Sequence, residues 1–300
     1  MFKKNSIITN KNSAFSLIEL SIAILIISIL VVGVSQGYGL VKSARISNAR
    51  SVTAKSPISS TSGLLAWYET TSKESFDKSQ IRDGAQITQW KDISPNSIIS
   101  NSNILTATAS NNVTYSQSSI NKLPAIKFNG SGNLSISTLT QGASSQATIF
   151  MVIKLNYPPD STNYKTIFDS HSSSSSSFAF SIKSDMTQLN AGSAGATNSS
   201  ANIFLNSGEY AIAIYFNGTS SKVFLNNTNF TLPSSASDGA LNAGSNQLNG
   251  ITLGTNKSGA LGFAGFVSEV AIFNRVVKST ERKEIFNYFS KKYKINITGV

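Results

Sequence analysis

Residues 15–34 form an almost unbroken apolar run, interrupted only by Ser16, Glu19, Ser21 and Ser28. As a helix rising about 1.5 Å per residue, it reaches roughly 30 Å, the thickness of one hydrocarbon core. Residues 35–54 keep apolar positions at Leu40, Val41, Ala44 and Ile46 and extend the helix. Gly37 and Gly39 each weaken it by about 1 kcal/mol and mark a hinge. Pro57, within the Ser-rich stretch 56–62, ends any helix, so a domain boundary is expected near residue 60.

Past that point the period changes from helical to short alternations separated by Gly, Asn and Ser. Strands are predicted over 64–68, 87–90, 125–128, 148–153, 165–168, 178–182, 210–216, 222–225, 251–254 and 266–273, each rich in β-branched or aromatic residues. Asn217-Gly218 joins two of them as a hairpin, because that pair tolerates positive φ. The closing stretch 280–293 returns to helical spacing, with Ser279 as its cap, Glu281 and Glu284 near its positive end and Lys291 and Lys292 near its negative end. Ile285, Phe286, Phe289 and Tyr293 fall on the face that packs inward. Strands without alternating helices predict a mainly β protein: an N-terminal transmembrane helix, an antiparallel β-sandwich and a short C-terminal helix.

Composition narrows the chemistry. Of 300 residues only 13% are charged and none is Cys, which excludes disulfides and Cys-based metal or redox sites. The net charge is +11, of which Lys3, Lys4 and Lys11 precede the apolar run. The remaining cations form no stripe with interleaved aromatics, so nucleic acid is not an expected partner. His171 is the single histidine and stands beside a serine run, 172–177, where a solvated loop is the expected setting. A glycosidase needs two carboxylates across a cleft. The loop acids Glu74, Asp77, Asp83 and Asp92 show no Glu-x-Asp-x-x-Glu spacing, and no enzymatic activity is expected. Trp67, Trp90 and Tyr115 are the aromatics suited to stacking on a sugar, yet both tryptophans sit in apolar strand contexts that point to the core. Glu269, in an otherwise apolar strand, is expected to satisfy a buried Arg or a backbone group, with calcium contact the minority reading and no cofactor expected.

The combination Ala14, Phe15 and Glu19 at the head of the apolar run resembles the type III signal of type IV pilins and pseudopilins. That resemblance implies a leader over 1–14, cleavage between Ala14 and Phe15 by a prepilin peptidase, methylation of the Phe15 amine and an assembly helix over 15–55. Glu19 would pair with the amine of a neighbouring pilin-like subunit. A carboxylate in the first turn suits the helix dipole but is costly in lipid without a partner. Ala14 stands where the family usually has Gly.

Four later blocks resemble concanavalin A-like (laminin G-like) jelly-roll domains: 63–68, 83–94, 123–131 and 263–275, followed by the last helix. The domain would cover 63–296 after a linker at 56–62. Together the resemblances imply a precursor in the bacterial inner membrane with its C-terminal domain in the periplasm. They further imply a minor or tip subunit of a type IV pilus or a type II secretion pseudopilus, displaying a head that binds a glycan or a surface protein. A domain that stays anchored without assembling is the alternative, and a glycoside-active enzyme the weaker one. Processing is directly testable: mass spectrometry of the native protein should find an N-methyl-Phe15 terminus. An intact Met1 in cells that possess the peptidase would remove that reading.

Overall fold

The computed structural model describes residues 16–108, 112–140, 146–155, 165–170, 178–182, 189–192, 199–201, 207–217, 220–230 and 248–300. Ala14, Phe15, His171 and Gly218 lie outside the described residues. The chain divides into two compact units, Met1–Ser47 and Asn48–Val300.

Helix α1 (Leu17–Ala54) has residues in both units. Within the first unit it is apolar all round: its large hydrophobic side chains from Leu17 to Val34 are exposed on every face. Among the described residues one helix, α1, is thus long and apolar enough to cross a membrane, with a mean hydropathy of 2.8 over its most apolar window. It runs unbroken through Gly37 and Gly39, so the expected hinge is a regular helical segment.

The second unit carries β1 (Leu64–Glu69), β2 (Gln89–Trp90), β3 (Leu105–Ala107), β4 (Val113–Ile120), β5 (Leu123–Asn129), β6 (Leu134–Ile136), β7 (Ala147–Leu155) and β8 (Lys165–Ser170). It continues with β9 (Ala179–Ile182), β10 (Leu189–Gly192), β11 (Ser199–Ala201), β12 (Gly208–Phe216), β13 (Lys222–Leu225), β14 (Thr228–Phe230), β15 (Ile251–Leu253) and β16 (Ala264–Phe273). Helix α2 (Pro95–Ser100) follows β2, and α3 (Ser279–Tyr293) closes the unit. Among the described residues the strands form two antiparallel sheets. One has the order β14-β13-β12-β7-β16-β5-β4 with β1 also paired to β16, the other β11-β10-β9-β8-β15-β6-β3-β2.

Alternation along the strands sorts side chains between two cores. Ile149, Met151 and Ile153 of β7, Ile212 and Ile214 of β12 and Val270 and Ile272 of β16 meet Leu134, Phe168, Phe180 and Leu253 of the other sheet. The alternate positions Phe150, Val152, Ala213, Ala271 and Phe273 face the opposite way, where Ile285, Phe286, Phe289 and Tyr293 of α3 cover them. The first sheet is therefore buried on both faces, which is why β7 reads as a continuous apolar segment rather than an alternating one.

Two local details differ from expectation. The cap position of α3 is Lys278, not Ser279. The Glu281 carboxylate accepts the Lys278 backbone N–H at 2.6 Å and forks onto Arg275 at 2.7 and 2.9 Å, so this acid holds the helix start. The Ser-rich stretch contains a 3-10 turn, Pro57–Ser60, capped by the Ser56 hydroxyl on the Ile58 N–H, and Ile58 is fully buried beside Ala49.

Ala49, Thr53 and Ile58 thus belong to the core of the second unit, which sets where a soluble fragment should begin. A fragment starting at Asn48 should melt cooperatively with β-rich circular dichroism. One starting at Thr61 should be less stable by at least the roughly 2–5 kcal/mol of an Ile-to-Ala core truncation. Equal midpoints of denaturation for the two fragments would refute that assignment.

Candidate functional site

Three places concentrate polar chemistry. The first is the start of α1. Ser16 precedes the helix and Glu19 lies in its first turn. The Ser16 N–H donates to Glu19 Oε2 at 2.9 Å, the carboxylate half of a capping box, and the Ile18 N–H donates to Ser16 Oγ at 3.4 Å. Ser-x-x-Glu at 16–19 is the sequence signal for this cap. Ser21, Ser28 and Ser35 donate to the carbonyls of Ile18, Ile24 and Val32, so these hydroxyls leave no unsatisfied donor along the apolar run.

The second is a buried ionic knot beneath α3. Glu69 of β1 stands directly opposite Glu269 of β16 in the ladder, and both are fully buried. Lys292 of α3 reaches between them, its Nζ donating to Glu69 Oε1 at 2.6 Å and Glu269 Oε2 at 2.9 Å. Glu269 also accepts from Trp67 Nε1 at 2.7 Å, Tyr288 OH at 2.9 Å and Tyr293 OH at 2.8 Å. Glu69 takes the Thr71 N–H and hydroxyl at 2.7 and 2.6 Å and the Ser72 N–H at 2.6 Å. Burial pushes the Glu269 carboxyl up, opposed by the Lys292 ammonium and reinforced by the Glu69 charge. Burial likewise holds the Tyr288 and Tyr293 phenols well above their ordinary range, so both remain donors. The partner of Glu269 is therefore a lysine rather than the expected arginine. Lys292 is consumed by this knot rather than placed to complement the helix dipole.

The third is a pair of clefts that flank α2 and share Lys73 and Ile98. One, of about 300 Å³, is polar, with Glu74, Asp77, Lys91, Asn101 and Ser102 in its wall. The other, of about 540 Å³, has Arg50 and Lys73 beside Trp67, Ile93, Pro95 and Ile98.

Of the loop acids, Glu74, Asp77 and Asp92 all line the polar cleft, whereas Asp83 is not in its wall. Asp77 pairs with Lys91 at 2.7 Å, and Asp83 accepts the Gln117 N–H at 2.9 Å. Asp92 is buried and accepts from the Trp67 N–H, the Ser94 N–H and hydroxyl and Asn103 Nδ2. Burial nevertheless raises its carboxyl. Trp67, Trp90 and Tyr115 are all buried, Trp90 against Tyr68 and Phe76. No group of three His, Asp or Glu side chains able to hold a metal occurs among the described residues.

Residues 9–35 match the prokaryotic N-terminal methylation motif. No curated protein matches the chain in sequence. Among solved structures the chain is similar to Trypanosoma rangeli sialidase in complex with sialic acid, at 15% identity and a TM-score of 0.51, covering 79% of this chain and 34% of the sialidase. It is also similar to the binding domain of botulinum neurotoxin serotype D/C VPI 5993, at 15% identity and a TM-score of 0.52, covering 77% of this chain and 52% of that one. The chain thus spans about a third of the sialidase and half of the toxin fragment, and at this identity the likeness is one of fold. A pilin-like N-terminal segment is joined to a β-sandwich domain.

Lys292→Met removes the only cation of the knot and should destabilise the second unit by about 3–5 kcal/mol in chemical denaturation. A loss under about 1 kcal/mol would mean the charges are not buried together. Because folding raises the Glu269 carboxyl, its stabilising share is complete below the ordinary carboxylate range and is lost as pH rises through the raised value. The stability of wild type relative to Glu269→Gln should therefore fall with rising pH. A difference that grows with pH would contradict this.

Proposed function

We propose that this chain is a pilin-like subunit whose α1 first anchors the precursor in the bacterial inner membrane and then packs among the helices of a filament, either a type IV pilus or a secretion pseudopilus. One observation carries the reading: the methylation motif at residues 9–35 coincides with a helix apolar on all sides and bearing a single acid, Glu19, in its first turn. A carboxylate there gains little from lipid, and a methylated amine on a neighbouring chain offers it a partner. Cleavage at Ala14–Phe15 by the prepilin peptidase and exposure of Asn48–Val300 in the periplasm belong to the same reading. The second unit is large for a position repeated along a filament, which favours a minor or tip component. Its role is binding rather than catalysis. The polar cleft with Glu74, Asp77, Asn101 and Ser102 supports a glycan as the ligand class, because it offers donors and acceptors together.

Glu19→Leu separates anchoring from assembly. Membrane insertion should persist or improve, since a charge is removed from the apolar run. Incorporation into sheared pili or an assembled pseudopilus should fall by about tenfold or more, because the neighbouring amine would be left buried without its counter-ion. Equal incorporation of variant and wild type would favour the second reading, a membrane-anchored binding domain that never polymerises.

A further inference from the structure

We propose that the cleft between the end of α1 and α2 is a binding site for a small carboxylate with an apolar body. Its volume of about 540 Å³ lies in the range of roughly 300–1,000 Å³ typical of small-molecule sites. Trp67, Ile93, Pro95 and Ile98 give it an apolar wall, with Ile98 left exposed at 55%. Two cations stand beside that wall. Arg50 spends its Nε on the Thr71 carbonyl at 2.6 Å, which fixes the guanidinium plane, while Lys73 is exposed. Neither forms an ion pair among the described residues.

The rest of the lining selects against other ligands. It contains Thr and Ser hydroxyls but no carboxylate and no carboxamide. A neutral sugar would find few side-chain acceptors for its hydroxyl hydrogens there, and a cation would meet only like charge. An anion attached to an apolar body satisfies both halves of the wall: the guanidinium offers a planar fork to a carboxylate, and the hydrocarbon side chains take the remainder. This site lies across α2 from the polar cleft, with Lys73 and Ile98 common to both walls, and does not depend on filament assembly, so failure of the Glu19→Leu experiment leaves it standing.

The full chain in lipid nanodiscs can be titrated with 2-naphthoate, read as energy transfer from Trp67 in the cleft wall after subtraction of empty nanodiscs. Two partial probes accompany it: 2-naphthamide, which keeps the apolar body without the charge, and acetate, which keeps the charge without the body. Naphthoate should bind about tenfold or more tightly than either. Lys73→Gln, on an exposed side chain, should weaken naphthoate about two- to fivefold and leave naphthamide unchanged. Arg50→Gln should cost about tenfold. Ile98→Ser should weaken naphthoate and naphthamide together. Equal affinity for naphthoate and naphthamide overturns the proposal, as does wild-type affinity in both Lys73→Gln and Arg50→Gln. The Lys73 and Ile98 variants keep it falsifiable should Arg50→Gln disturb the loop that Arg50 holds.

Discussion

Two glutamates face each other across neighbouring strands in the interior, and the second unit is organised around neutralising them. Glu69 and Glu269 share one ladder position with no solvent, a placement that would be prohibitive for two unpartnered carboxylates. One lysine cannot balance two charges, so the remainder is met by hydrogen bonds from Trp67, Thr71, Ser72, Tyr288 and Tyr293 and by the raised Glu269 carboxyl. Such a cluster is a weak source of net stability, since an apolar replacement of equal volume costs no desolvation. Its effect is on register. A helical residue turns about 100° per step, so shifting α3 by one position would carry Lys292 away from both acids. β1, β16 and α3 are thereby held to one arrangement.

The knot also reaches the end of α1. Tyr288 lies 3.3 Å from the Thr53 hydroxyl, and Arg50 binds the carbonyl of Thr71, whose N–H and hydroxyl hold Glu69. Residues of the last helical turns therefore share a hydrogen-bond network with the interior of the β-sandwich, and Ile58 seals the same region with apolar contact. A composition rich in Ser around Pro57 resembles a linker because serine is common in linkers. Here the serines instead cap a 3-10 turn, and one buried isoleucine is enough to anchor it.

Legibility followed burial. Strands buried on both faces, β7, β12 and β16, were plain as apolar runs. β4 (Val113–Ile120) shows no clear apolar alternation because Ser and Gln fill its partly exposed positions, and β3, β6 and β14 are three residues each, too short to show a period. Lys292 departs furthest from its expected role. Beside Lys291 it looked like one of a pair complementing the helix dipole, yet it lies three residues after Phe289 and seven after Ile285, on the stripe that packs inward. A lysine on an apolar stripe demands an acid, and Glu69 and Glu269 were the acids embedded in apolar strands. Spacing places Lys292 on that stripe, but Glu69 falls one residue beyond the strand expected over 64–68, and only the fold brings it to the lysine. The two clefts are likewise not legible, because their walls join residues 50–59, 67–78 and 91–102, which only the folded chain brings together.

The chain keeps acids in two opposite circumstances. Glu269 has four donors and no solvent; exchanging any partner would leave a buried charge or a buried donor unmatched, so its contacts are permanent. Glu19 is held by the Ser16 N–H, a local bond that costs only a helix cap when broken. A subunit that leaves lipid for a helical assembly needs one carboxylate free to change partners and a head whose own charges do not. Under the proposed role, the exchangeable acid lies on the apolar helix and the fixed ones lie inside the sandwich. The Ser16–Glu19 bond would then serve the precursor, keeping Glu19 partly satisfied in the membrane until a neighbouring amine offers the stronger, charge-assisted bond.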